Sequence, residues 1–176
     1  MKSLAQQMAV YNAYHQNDLN KLTHFVGVPL IILALLIPLS WPALHVGGMT
    51  ITAAMVFVAV VSSYYLVLDM PLGLLTVAAV LPMLWGAHLI AAQGTATGWV
   101  TFAIAFIGGW ILQLIGHVFE GRRPALVDNF FQIFVAPVFL VAEALFAFGA
   151  RRTLKREVEM LTVTKTVAPV NRADAV

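Results

Sequence analysis

Four runs of apolar residues, each about as long as a bilayer is thick once coiled into a helix, leave this chain few ways to fold. They extend from about His24 to Trp41, Met49 to Leu68, Leu72 to Ala92 and Trp99 to His117. A hydrocarbon core takes roughly 17–25 helical residues to cross. Inside it every backbone N–H and C=O must find its partner within the chain, so runs of this kind are helices. The expected fold is therefore all-α, a polytopic membrane helical bundle. It should have about four transmembrane helices, an N-terminal amphipathic helix and a re-entrant or interfacial C-terminal helical hairpin. A chain that is 61% hydrophobic and 10% charged agrees with that class. Its 176 residues allow one integral membrane domain, expected over 1–159. Beyond it lies a tail, 160–176, whose apolar period fades and which is expected to be disordered.

Residues 3–15 read as a short amphipathic helix with Leu4, Met8, Tyr11 and His15 on one face. Asn17-Asp18 breaks it, and Asn17, Asp18 or Asn20 is placed to cap the next helix. Met1 to Asn20 lacks the continuous apolar core and small-residue cleavage site of a signal peptide. Pro38 and Pro42 mark the end of the first run, and Asp69-Met70-Pro71 makes a tight turn into the third. A fifth apolar run, Phe130 to Ala150, is interrupted by Gln132, Pro137 and Glu143. Charge decides how to read it. Lys2 and Lys21 precede the first run, Arg122 and Arg123 follow the fourth, and Arg151, Arg152, Lys155 and Arg156 follow the fifth. The loops at 42–48 and 93–98 carry no Lys or Arg. Four spans put all the basic clusters and both termini on the cytoplasmic side, whereas a fifth span would carry the last cluster outside. The fifth run is thus expected to be a re-entrant or interfacial hairpin bent at Pro137. The net charge of +2 resides in these clusters, which report topology and lipid headgroups; no nucleic-acid partner is expected.

The chain has no Cys, so disulfides, thiolate catalysis and Cys-based metal sites are excluded. Any metal must be held by His nitrogen and carboxylate oxygen, which suits iron, zinc or manganese. Gly116 to Leu126 packs His117, Glu120, Arg122 and Arg123 into a membrane boundary, where ionisable groups are expensive and usually functional. In the four-span topology His15, His24, His117 and Glu120 meet on one face of the membrane. His15 and His24 are too far out of phase to share an ion on one continuous helix, and the Asn17–Asn20 break redirects the chain between them. His117 and Glu120, at i and i+3, share a helix face. Each also has a plain reading: a histidine at a helix end is often an interfacial residue, and Glu120 is within reach of Arg122, Arg123 or His117 for pairing. His45 is read as a surface residue and His88 as hydrogen-bonded within the bundle. Glu143, an acid inside an apolar run, needs a partner, either a ligating His or an Arg. Arg122 and Arg123 either bind an acidic head bidentately or set topology as snorkelling arginines. The five His positions form no HxxH or HxxxH cluster, which argues against a two-metal, histidine-rich hydroxylase. Three function classes stay open on these residues: a metal-dependent lipid oxygenase, another metal-dependent lipid hydroxylase or hydrolase, and a non-catalytic lipid-binding or scaffold protein.

Two blocks of residues carry a resemblance. The first is Tyr14-His15-Gln16-Asn17 with Asn20, His24 and Pro29. The second is Gly109-Trp110, Gln113, Gly116-His117, Phe119-Glu120, Arg122-Arg123-Pro124-Ala125-Leu126, Asp128-Asn129, Gln132, Ala136-Pro137 and Glu143. Together they resemble the iron(II)-dependent 2-hydroxy fatty acid dioxygenases, a membrane family acting in fatty acid α-oxidation during phytosphingosine breakdown. The resemblance covers about residues 5 to 155; in the middle segments it is one of hydropathy only. It implies oxidative shortening of a 2-hydroxy fatty acid by one carbon with O2 and Fe(II). By the same resemblance His15, His24 and His117 are the expected metal ligands, and Glu120, Arg122 and Arg123 the expected catalytic or substrate-binding groups. Gln113 and Glu143 are expected to support the ligands from behind. The substrate and membrane lipid are the expected partners. The chain is expected in a bacterial inner membrane, or the endoplasmic reticulum of a eukaryote, with its site on the cytoplasmic side.

Overall fold

The structure, a computed structural model, describes residues 2–124 and 130–167. In chain order the elements are α1 (Leu4–Asn12), α2 (Asp18–Leu39), β1 (Ala43–Val46), β2 (Met49–Thr52), α3 (Ala53–Leu68), α4 (Met70–Ala92), α5 (Thr95–Glu120), α6 (Gln132–Ala147) and α7 (Arg152–Val167). Local chemistry sets most boundaries. Ser3 and Gln6 form a capping box at the start of α1, Asn17 caps α2 through Leu19 N, and Thr52 and Asp69 cap α3 and α4. Gly121, at φ +69°, closes α5 in the left-handed conformation that only glycine adopts freely.

Three helices, α2, α4 and α5, are long and apolar enough to cross a membrane. The second expected run divides. Met49–Thr52 is a strand, paired in register with Ala43–Val46 around a Gly47-Gly48 turn in which both residues have positive φ, as a two-residue hairpin requires. The helix that follows has 16 residues, about 24 Å, short of a full hydrocarbon core.

The fifth run also corrects an expectation. Pro137 lies inside α6, and the chain turns instead after Ala147: α6 and α7 meet at 118°. Gly149 and Arg151 both take positive φ at that corner, and an Arg151–Asp69 ion pair ties it to the cap of α4. The two helices form a bent C-terminal pair, with its corner displaced from the proline. The tail expected from residue 160 is helical as far as Val167, because Val158 and Thr162 fall on one face and bury against α1, where Asn12 Nδ2 donates to Thr162 Oγ1 at 3.2 Å. The remainder of that tail, and Ala125-Leu126 and Asp128-Asn129 of the second sequence block, lie outside the described residues.

Two cores result. One joins the far ends of α2 and α4 to the start of α3, through Leu36, Ile37, Ala54, Val58 and Ala87. The other, through Met8, Tyr11, Phe139, Leu140 and Val158, seats α1, α6 and α7 over the opposite end. The spine is the antiparallel pair α2 and α5. Gly27 opposes Gly109, and Gly116 opposes Asn20 and Thr23. A Cβ at Gly109 would stand 2.7 Å from Ile31 Cγ1 and 3.0 Å from the Gly27 carbonyl, and one at Gly116 would collide with the Asn20 and Thr23 side chains. Small residues let membrane helices approach this closely. Beside them Gly108 faces open space. Gly116→Ala is therefore expected to lower stability by about 1–3 kcal/mol through overpacking, while Gly108→Ala should be neutral or mildly stabilising; thermal unfolding in detergent compares them.

Candidate metal centre

The three histidines come from three stretches. His15 ends the turn after α1, His24 lies in the second turn of α2, and His117 lies in the last turn of α5. All three are buried, and one ligand atom from each lies within 4.8 Å of the others. Among the described residues theirs is the one such group of potential ligands.

Two imidazoles have a defined proton. His15 Nδ1 donates to Tyr11 O and His24 Nδ1 donates to Asn20 O, each at 2.8 Å and each to the residue four places earlier. Their Nε2 atoms therefore carry lone pairs, and these point at each other across 3.1 Å. Burial, then the adjacent His24, pushes the His15 imidazole down to about 2, so it is neutral at physiological pH. Neutral rings in this arrangement hold no proton between them. The geometry fits a cation. Two nitrogens roughly 2.0–2.1 Å from one ion at angles near 90–110° stand about 2.8–3.4 Å apart. His117 Nδ1, buried and without a hydrogen-bond partner among the described residues, supplies the third unsatisfied nitrogen. Three neutral nitrogens would leave further positions open, as an oxygen-activating or Lewis-acid centre needs. Tyr11 stacks on His15 with centroids 3.9 Å apart and planes 3° apart, holding the ring flat.

Glu120 takes a different place from the triad. Its Oε1 accepts from Gln16 N, and its Oε2 from Asn17 N and Asn20 Nδ2, each at 2.9 Å. The carboxylate thus clamps the turn after His15, and Asn20, the residue that orients His24, to the end of the helix that bears His117. Arg122 Nη1 donates to Ala13 O at 3.1 Å on the same turn. Glu143 pairs with Lys21 at 2.9 Å rather than with a histidine or an arginine. Gln113, one turn before His117, is buried. His45 is exposed and bonded to Thr50 Oγ1. His88 is exposed on α4 and, among the described residues, makes no hydrogen bond within the bundle, contrary to expectation, because its position turns away from the neighbouring helices. Sequence reasoning gave Asn20 only a capping role and Tyr11 only a place on the apolar face of α1, although both sit four residues before a candidate ligand, where a helical carbonyl meets an imidazole.

A cavity of about 360 Å³ begins at the three histidines and runs down the bundle. It touches α2 from His24 to Leu39, about 22 Å of helix. Its wall is almost wholly apolar away from the triad; Gln113 and Gln132 are among its few polar residues.

Replacing His15, His24 or His117 by Ala is expected to remove most bound metal, while His45→Ala should leave it unchanged; metal analysis of the detergent-purified protein decides. For Glu120→Ala, with every histidine intact, metal affinity should fall roughly 10–100-fold, the usual effect of losing the groups that orient ligands. Undiminished affinity in that variant would show that the clamp does not set the site.

Residues 1–148 match the family described as 2-hydroxy-palmitic acid dioxygenase Mpo1-like. The chain is also similar to the 2-hydroxy-palmitic acid dioxygenase MPO1 of Saccharomyces cerevisiae, at 37% identity over 158 residues, covering 89% of this chain and 87% of the yeast protein. No solved structure matches it.

Proposed function

The chain belongs to the Mpo1-like family of 2-hydroxy-palmitic acid dioxygenases, and on that premise we propose that it shortens a 2-hydroxy fatty acid by one carbon, using O2 and iron(II) held by His15, His24 and His117. The observation that carries this reading is a three-histidine cluster at the head of a long apolar cavity. The net conversion balances without another reductant: a 2-hydroxy acid and O2 give the acid one carbon shorter, CO2 and water. Held by these three histidines, iron(II) would supply the one-electron chemistry that O2 requires and Lewis acidity toward the oxygens of the substrate head.

The protein's own groups do the rest. Tyr11 O and Asn20 O keep the Nδ1 protons of His15 and His24 in place, so the Nε2 lone pairs stay available. The wall between His24 and Leu39 takes the acyl tail, with about 0.8 kcal/mol for each methylene withdrawn from water. Arg122 and Arg123 stand just before Pro124, which lines the cavity, and place positive charge where a fatty carboxylate would arrive. The polar site and the basic residues Lys21 and Arg122 share one end of the bundle. By the positive-inside bias that end faces the cytoplasm, in a bacterial chain from the inner membrane.

Protein loaded anaerobically with iron(II) and then given 2-hydroxypalmitate and O2 is expected to release pentadecanoate, and to leave palmitate intact. Chelation should stop the reaction and added iron restore it. Iron-loaded protein that binds 2-hydroxypalmitate yet never yields the shorter acid would falsify the assignment.

A further inference from the structure

Two side-chain amides in the wall of the cavity each hold one buried atom without a hydrogen-bond partner among the described residues. Gln113 lies on α5 one turn before His117, and Gln132 is the first residue of α6. Both are at least nine-tenths buried, and both line the cavity that the three histidines line. Among the described residues, the Nε2 donor of Gln113 and the Oε1 acceptor of Gln132 make no hydrogen bond. Native proteins leave few buried polar atoms in this condition, since each forfeits its hydration without return. The fold even makes room for one of them. Gly27 faces Gln113, and a Cβ at that position would stand 2.6 Å from Nε2. An apolar side chain would seal either place in the wall without an orphaned atom.

The two orphaned atoms are complementary to a particular head group. A 2-hydroxy acid presents a carboxylate, which only accepts hydrogen bonds, next to a hydroxyl, which can donate one. Resting on the reaction assigned above, we propose that Gln113 donates to the substrate carboxylate and Gln132 accepts from its 2-hydroxyl. The pair then selects 2-hydroxy acids over plain fatty acids. A site built to bond a hydroxyl rejects the analogue that lacks it, because its buried polar group is left unpaired. Arg122 and Arg123 do not compete for these contacts, since neither lines the cavity and Arg122 is bonded to Ala13 O.

Displacement of a fluorescent fatty acid from the metal-free full-length protein, by 2-hydroxypalmitate and by palmitate, separates the two contacts. The parent should prefer 2-hydroxypalmitate. Gln132→Met should reduce that preference roughly three- to tenfold, the scale of one net hydrogen bond, with palmitate affinity changed by less than about twofold. Gln113→Met should weaken both ligands by a similar factor, since both carry the carboxylate. The Leu variants repeat the measurement if either Met variant fails to fold. A parent that does not discriminate, or a folded Gln132 variant with the parent's preference, overturns the proposal. If the expected pattern appears but iron-loaded protein never shortens 2-hydroxypalmitate, the assigned reaction fails and the head-group contacts stand.

Discussion

The close approach of α2 to α5 is the constraint on which the site depends. With glycine at positions 27, 109 and 116, the two helices meet backbone to backbone over the half of the bundle that carries the histidines. At the last of these contacts Asn20 and Thr23 occupy the space a side chain at 116 would fill. Glu120, one turn later, can then reach across to Gln16 N, Asn17 N and Asn20 Nδ2. One carboxylate therefore sets the distance between three stretches of chain, each bearing a histidine. Bonds from N–H donors to an ionised acceptor are stronger than neutral ones, which suits a clamp that must hold a buried cluster together.

That cluster would be unfavourable if left to itself. Three imidazoles are withdrawn from water, two with lone pairs turned towards each other and one with an Nδ1 unpartnered among the described residues. Helical carbonyls fix the proton on the far side of His15 and His24, so rotation of the rings cannot relieve the contact without giving up a bond at 2.8 Å. Tyr11 stacked on His15, with Phe139 against both, restricts the rings further. Such preorganisation raises the affinity for whatever satisfies the lone pairs, because the ordering is complete before the ligand arrives.

The bilayer explains why the site stands at one end. Apolar residues such as Leu81, Trp85, Ile104 and Ile107 are exposed along α4 and α5, where they meet lipid rather than protein. A cavity between such helices offers a fatty chain surroundings like those it leaves. Its polar end lies where α1, α6 and α7 fold over the bundle and where Lys21, Glu143, Asp69 and Arg151 form ion pairs. Head and tail of an amphiphile thus find matching environments in one continuous space.

The apolar runs and basic clusters were enough to specify a helical membrane protein, because a chain in hydrocarbon has few solutions for its backbone. The break at Asn17–Asn20 and the positions of His15, His24 and His117 likewise indicated a shared site at one end, since turns and helix ends are written locally. Other features were decided only by the packing of distant segments. The strand at Met49–Thr52 depends on pairing with Ala43–Val46, and periodicity does not separate so short an apolar strand from the start of a helix. The corner after Ala147 depends on backbone conformations at Gly149 and Arg151 and on Asp69, 82 positions away from Arg151. The partners of Glu120 and Glu143 were equally hidden, for they lie about a hundred or more residues away in the chain. An acid's local sequence shows that it needs a donor; which donor it finds is settled by how α2, α5 and α6 come together.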